Sequence, residues 1–176
     1  MIDALGFFVA NSLWLTSGAS AALAFRRALM DAAARGVRVI LLLQARVEYV
    51  LMHYASRALY GAFLEAGIEI HEYHRSFLHA KVAVIDGNWA TVGSSNIDPL
   101  SFLLAREANV VVQDRKFAED LRGRLLEAMA TGATRVPRER WQHPPLPVRV
   151  AIWFAYGVAR LSTGFFAYAR AQEFSS

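Results

Sequence analysis

Six residues between positions 79 and 96 have the types and spacing of a phosphate-handling site: His79-x-Lys81-x4-Asp86-x6-Gly93-Ser94-x-Asn96. On an extended strand, side chains two apart project from one face, about 6–7 Å from each other. His79 and Lys81 would therefore reach a single phosphate group together. An imidazole titrates near neutrality, so it can attack phosphorus or give a proton to a leaving oxygen. A lysine ammonium offsets the negative charge that gathers on non-bridging oxygens in the transition state. Gly93-Ser94-Ser95-Asn96 is short, small and polar, and can bring hydroxyl, amide and backbone N–H donors to the same group. Asp86 has the parity of the opposite face and begins a turn, so its spacing alone gives it a structural role. At ordinary residue frequencies, six such fixed positions coincide by chance in about one chain in 10⁵–10⁶ of this length.

The elements that must position these groups can be read from periodicity and turn chemistry. Asn11 to Thr16 reads as a short strand and Ser20 to Arg35 as an amphipathic helix, with Phe25 and Leu29 on one face and Gly36 as its stop. Val37 to Leu43 is a continuous apolar run and reads as a buried strand. A second helix is expected over residues 47–66, with Leu59 and Phe63 on one face, closed by Gly67. Strands follow at Ile68 to Tyr73 and Leu78 to Ile85, and Asp86-Gly87-Asn88 turns the chain into Trp89 to Val92. On the second of these strands Leu78, Ala80, Val82 and Val84 form the face opposite His79 and Lys81. Glu107 to Val112 is a further strand. Asp114 then caps a helix bearing Phe117, Leu121 and Leu125 at i, i+4 and i+8. This order predicts an α/β fold, a mixed β-sheet flanked by helices.

A chain of 176 residues is long enough for one hydrophobic core. The net charge of +4 suits an anionic partner, either nucleic acid or acidic lipid. With no cysteine, disulfides and thiolate metal sites are excluded. Residues 5–10 are apolar, but no basic segment precedes them, so they do not read as a signal peptide. Residues 135–149 hold Arg135, Arg138, Arg140 and Arg149 against Glu139, with Pro137, Pro144, Pro145 and Pro147. The prolines argue against a regular helix there, and a basic linker is expected. Val148 to Ala169 is apolar and aromatic, with Trp153, Phe154, Tyr156, Phe165, Phe166 and Tyr168. Arg160 in its middle is costly for a transmembrane span, whereas basic flanks and aromatic side chains favour a helix lying in the membrane interface.

The six-residue spacing resembles the signature of the phospholipase D superfamily, which embraces phospholipases, cardiolipin and phosphatidylserine synthases and some nucleases. Leu78-His79-Ala80-Lys81, Trp89 to Pro99 and Glu107-Ala108-Asn109-Val110 look most like bacterial cardiolipin synthases. Ala33 to Val37 and Ala66 to Ile70 fit the same branch, and the likeness covers roughly residues 12–131. The resemblance implies a phospholipase D-like half-domain and a catalytic set of His79, Lys81, Asp86 and Glu107. His79 would be nucleophile or general acid, and Lys81, Ser94 and Asn96 would bind phosphate. Glu107 would hydrogen-bond a catalytic histidine and fix its tautomer. No metal and no cofactor are expected. Family members often carry asparagine two residues before that glutamate, where this chain has Ala105.

Superfamily enzymes use two such motifs about one phosphate, and this chain has one. The second would come from another copy about a two-fold axis or from a missing N-terminal half. The expected organisation is a catalytic half-domain at 1–134, a basic proline-rich linker at 135–147 and an apolar, membrane-interfacial helical tail at 148–176. The expected activity is phosphatidyl transfer of the cardiolipin synthase type through a phosphohistidine. Its partners would be a phosphatidylglycerol-like phospholipid and an anionic membrane surface, at the cytoplasmic face of the cell membrane. The alternatives are a homodimeric, metal-independent nuclease or phosphodiesterase acting on nucleic acid, and an inactive truncated remnant. His53, His71, His74 and His143 have no partners at meaningful spacing; of these His74 alone is near enough to the strand to line a site mouth.

Overall fold

The computed structural model describes residues 5–10, 20–46, 57–94, 108–142 and 145–173. Its strands are β1 (Leu5–Ala10), β2 (Arg38–Gln44), β3 (Glu69–Tyr73), β4 (Lys81–Ile85), β5 (Trp89–Gly93), β6 (Asn109–Val112) and β7 (Ala133–Arg135). Its helices are α1 (Ser20–Ala34), α2 (Tyr60–Glu65), α3 (Arg115–Gly132), α4 (Glu139–Gln142) and α5 (Leu146–Glu173). The strands form one seven-stranded sheet in the order β6-β5-β4-β1-β2-β3-β7. Strands β1, β2 and β3 run parallel, and every other pairing is antiparallel. This is the mixed α/β sheet that the sequence predicts.

The unbroken apolar run of β2 is explained by burial on both faces. Val39, Leu41 and Leu43 pack with Leu29 of α1 and with Leu59, Tyr60 and Phe63 in and before α2. Ile40 and Leu42 pack on the other face with Val84 and Ala90 and with Ala118 and Leu125 of α3. Strand alternation thus places α1 and α2 on one side of the sheet and α3 on the other. Gly36, at φ +88°, ends the first helix in a conformation that a β-carbon disfavours.

Several elements differ from the sequence-based expectation. Strand β1 lies at Leu5–Ala10, in the middle of the sheet, while the strand expected at Asn11 to Thr16 falls outside the described residues. A wholly apolar strand paired on both edges has no polar alternation to mark it. Of the helix expected over 47–66, the described part is helical around Tyr60–Glu65. In α3 the buried stripe is Ala118, Leu121, Leu125 and Met129, and Phe117 is 40% exposed. Leu121 and Leu125 face the sheet as expected, while Ala118 takes the buried place next to Phe117.

The residues expected to form a basic linker carry structure. Arg135 lies on β7, which pairs with the free edge of β3, and Val136 is buried beside Ile70 and Phe63. Trp141 of α4 meets the Tyr60 ring at 5.0 Å between centroids. Pro137 precedes α4 and Pro147 lies in the first turn of α5, where no intrahelical N–H is required. Burial raises the Tyr60 phenol well above its ordinary value, and the neighbouring Glu72 carboxylate adds to the effect.

Candidate active site

Strand β4 supplies the centre of the site. Val84 is buried under α3, with Leu78, Ala80 and Val82 packed against the same cluster, so this parity faces α3 as expected. His79 and Lys81 belong to the opposite parity and project from the other face of the sheet. Regular strand pairing begins only at Lys81, and residues 77–80 lead into it without regular secondary structure. Even so, the two side chains meet: Lys81 Nζ lies 2.9 Å from His79 Nε2. A lysine ammonium only donates, so Nε2 is the accepting nitrogen and a neutral ring carries its proton on Nδ1. The histidine is exposed, while Lys81 is 9% exposed. An exposed imidazole beside a nearly buried cation is an arrangement chemically able to take up a phosphate group.

The β4–β5–β6 register extends this face sideways. Lys81 pairs with Gly93, and Gly93 with Asn109, so the three lie abreast across adjacent strands. Gly93 has to be glycine. A β-carbon there would collide with the Asn109 carboxamide and stand 2.6 Å from the Ala108 carbonyl oxygen. The Asn109 side chain therefore lies over Gly93, on the face that carries Lys81. Sequence reasoning did not single out Asn109. Its signal was the register itself, since a polar residue opposite an obligatory glycine marks a side chain folded across a strand.

The remaining expected residues divide into three groups. Ser94 follows β5 directly, and its backbone N–H donates to the Ala108 carbonyl at 3.0 Å. Its hydroxyl accepts from the Ala108 N–H at 3.1 Å and donates to the Ala108 carbonyl at 3.4 Å. The serine thus extends the β5–β6 ladder, and a phosphate would draw its hydroxyl proton by rotation about the Cβ–Oγ bond. Asn96 and Glu107 lie outside the described residues. Asp86, expected in the catalytic set, stands in the turn after β4. It sits at φ 52°, with Asn88 N–H donating to Ile85 O at 3.2 Å. Five strand positions separate it from Lys81, about 16 Å, so it shapes the β4–β5 hairpin and does not meet the phosphate-facing groups. Aspartate tolerates this left-handed conformation better than most residues.

The other described histidines have partners of their own on β3. His71 lies on β3 beside Glu69, and His74 Nδ1 is 3.4 Å from the Glu72 carbonyl oxygen. Among the described residues no group of histidine and acidic side chains is placed to hold a metal ion. An imidazole and an ammonium in contact could serve attack on phosphorus with charge stabilisation.

Residues 10–129 match the family described as "Cardiolipin synthase, PLD-like domain". Cardiolipin synthase B of Escherichia coli K12 is 42% identical over 122 residues, which is 66% of this chain and 30% of that protein. Cardiolipin synthase of Geobacillus kaustophilus is 37% identical over 132 residues, 70% of this chain and 24% of that protein. The chain thus spans less than a third of the length of these curated relatives. Among solved structures, the phospholipase D family member Nuc from Salmonella typhimurium superposes with a TM-score of 0.61 at 20% identity, covering 76% of this chain and 82% of Nuc. Phosphatidylserine synthase of Haemophilus influenzae gives a TM-score of 0.62 at 9% identity, covering 94% of this chain and 41% of that one. The fold is that of the phospholipase D superfamily, and the chain belongs to the cardiolipin synthase, PLD-like domain family.

Proposed function

We propose that this chain is one half of a phospholipase D-type phosphatidyltransferase of the cardiolipin synthase kind, with His79 as a reacting imidazole. The observation that carries the reading is the 2.9 Å approach of Lys81 Nζ to His79 Nε2 on the face of the sheet opposite α3. In the first step Nε2 attacks the phosphorus of a donor phospholipid such as phosphatidylglycerol. An N–P bond forms, the bond from phosphorus to the departing glycerol oxygen breaks, and a second histidine protonates that oxygen. In the second step the same histidine takes the proton of an incoming alcohol, whose oxygen displaces His79. Lys81 stabilises the equatorial oxygens in both steps, assisted by Ser94 and Asn96, while Glu107 holds the imidazole tautomer. The second histidine lies in another motif, on a second copy or elsewhere in a longer polypeptide. The short span of this chain against its relatives supports the latter.

Helix α5 supports a membrane-facing role. Leu146, Val150, Trp153, Phe154 and Leu161 are each more than half exposed and fall on one side of the helix, whereas Ile152 and Ala155 are buried on the other. Exposed Arg138, Arg140 and Arg149 lie in or beside its start. Among the described residues no helix is long and apolar enough to cross a membrane. An outward apolar stripe with basic neighbours suits insertion at the headgroup level of an anionic leaflet, on the cytoplasmic side.

The test is chemical trapping. The chain, supplied with a second motif-bearing half, is incubated with phosphatidylglycerol vesicles labelled in the phosphatidyl group. Acid-labile, alkali-stable label on His79 is expected, and His79→Ala should abolish both the label and the transfer to acceptor alcohol. The net charge of +4 favours one other reading, a nuclease formed by two copies. DNA cleavage that persists in EDTA and weakens with salt, without phosphatidyl transfer, would replace the first reading with that one.

A further inference from the structure

The segment that delivers His79 to Lys81 is not held by the sheet. Between the end of β3 at Tyr73 and the start of β4 at Lys81 there is no strand pairing. A backbone anchor joins His74 N–H to Gly132 O at 2.9 Å. Further long-range bonds to this segment come from two side chains at and just after the carboxyl end of β2. Gln44 Oε1 accepts the Leu78 N–H at 3.1 Å, immediately before His79. Arg46 donates from Nε to His74 O at 3.2 Å and from Nη2 to Arg75 O at 3.1 Å. Its guanidinium also lies 5.5 Å from the centre of the Phe77 ring. Two residues of one strand end thus grip positions 74, 75, 77 and 78 in succession.

Gln44 is an odd choice on packing grounds alone. It closes a run of five apolar residues, is 8% exposed, and its Nε2 has no hydrogen-bond partner. A buried donor left unsatisfied is destabilising, and leucine would fit the same space without it. What leucine could not do is accept the Leu78 N–H. Arg46 is similarly specific, because two adjacent carbonyls suit the planar fork of a guanidinium and not the single point of an ammonium.

We infer that Gln44 and Arg46 are positioning residues, which fix the 74–78 segment so that the His79 imidazole is presented to Lys81. They act through the backbone that carries the reacting ring. The inference concerns the His79–Lys81 geometry itself, and its catalytic consequence rests on the phosphatidyltransferase reading.

The test uses the full chain labelled with ¹⁵N, in wild-type form and as Gln44→Leu, Gln44→Glu and Arg46→Lys. His79 resonances are assigned by comparison with His79→Gln. In Gln44→Leu the Leu78 amide should exchange about tenfold faster, and the His79 imidazole ¹⁵N signals should shift as contact with Lys81 is lost, with the melting temperature held or raised. Gln44→Glu, which keeps the acceptor, should restore both signatures. Exposed Arg46→Lys should move the His79 signals without unfolding the chain, and it decides the matter if Gln44→Leu fails to fold. Where turnover is measurable, kcat should fall about ten- to a hundredfold at unchanged KM. Unmoved His79 signals in Gln44→Leu and Arg46→Lys would overturn the inference. Moved signals in a chain without phosphatidyl transfer would uphold it while removing the functional reading.

Discussion

Lys81 Nζ stands 2.9 Å from His79 Nε2 although the lysine is almost wholly buried and the histidine is exposed. Burying an ammonium carries a desolvation cost that an apolar side chain at the same place would not. Such a cation beside an exposed imidazole suits a pair that is to receive an anionic group. Lys81 would then be a residue kept for its charge, at a position where packing alone would choose an apolar side chain.

Replacing Lys81 by Met, which keeps the length and removes the charge, should separate stability from activity. Thermal unfolding is expected at the same temperature or higher, because the desolvated ammonium is gone. Phosphatidyl transfer should fall about 10²–10³-fold, the usual effect of removing a charge-stabilising group. Comparing melting curves with initial rates checks both halves. A variant that melts early and keeps its rate would show that Lys81 is structural.

Gly93→Ala should disrupt the β5–β6 pairing, because its β-carbon would meet both the Asn109 side chain and the Ala108 carbonyl. A loss of about 1–3 kcal/mol is expected from such overpacking, read by urea titration. Adding Asn109→Gly should recover only part of it, since the backbone oxygen at 2.6 Å remains. Full recovery would place the whole conflict in the Asn109 side chain.

The contrast between what was legible in the sequence and what was not has a physical basis. The α1–β2 unit, the Asp86 turn and the start of α3 were readable because glycine stops, turn residues and an N-cap act locally. The pairing of His79 with Lys81 was readable because it needs only i, i+2 parity. The grip of Gln44 and Arg46 on residues 74–78 was not, since it joins positions more than 25 apart in sequence through tertiary packing. The outermost strand, β7, was hidden for a similar reason. Ala133–Arg135 is too short to show alternation, and only the free edge of β3 makes it a strand.

Asp114 caps α3 by accepting the Phe117 N–H at 2.7 Å, as its position in the sequence suggests. Asp114→Ala should lower stability by about 1 kcal/mol, and Asp114→Asn by a few tenths at most. Because α3 covers the face opposite the site, neither change should move the His79 resonances. A shifted His79 signal in the alanine variant would mean that the start of α3 couples to the reacting face.

Glu69 sits on β3 with Arg38 Nε donating to its carboxylate at 2.6 Å, and this bond holds its pKa below the usual range. A carboxyl that is more acidic in the folded state stabilises the fold above its unfolded value, near 4.5. That contribution disappears as pH falls through the folded value. The stability gap between wild type and Arg38→Gln should therefore be complete at neutral pH and close in acid. The gap should be at most about 1 kcal/mol, since Arg38 is largely exposed. A gap that persists at the lowest pH at which both proteins fold would trace the effect to packing instead.

His71, two residues along the same strand, should respond in a different window. Burial lowers its pKa from 6.5, against a weaker upward pull from Glu69. Its Nε2 is 3.7 Å from Glu69 Oε2 and has no hydrogen-bond partner. The unfolded chain then takes up a proton at this residue before the folded chain does. Folding stability must fall as pH drops below 6.5 and level off once the folded value is passed. His71→Gln cannot take up that proton, so urea titrations of the two proteins between about pH 7.5 and pH 5.5 isolate the contribution of this ring. The advantage of wild type over His71→Gln should shrink across that interval. A constant difference would mean that the imidazole is protonated as readily in the fold as outside it, and that Glu69, not burial, governs its charge.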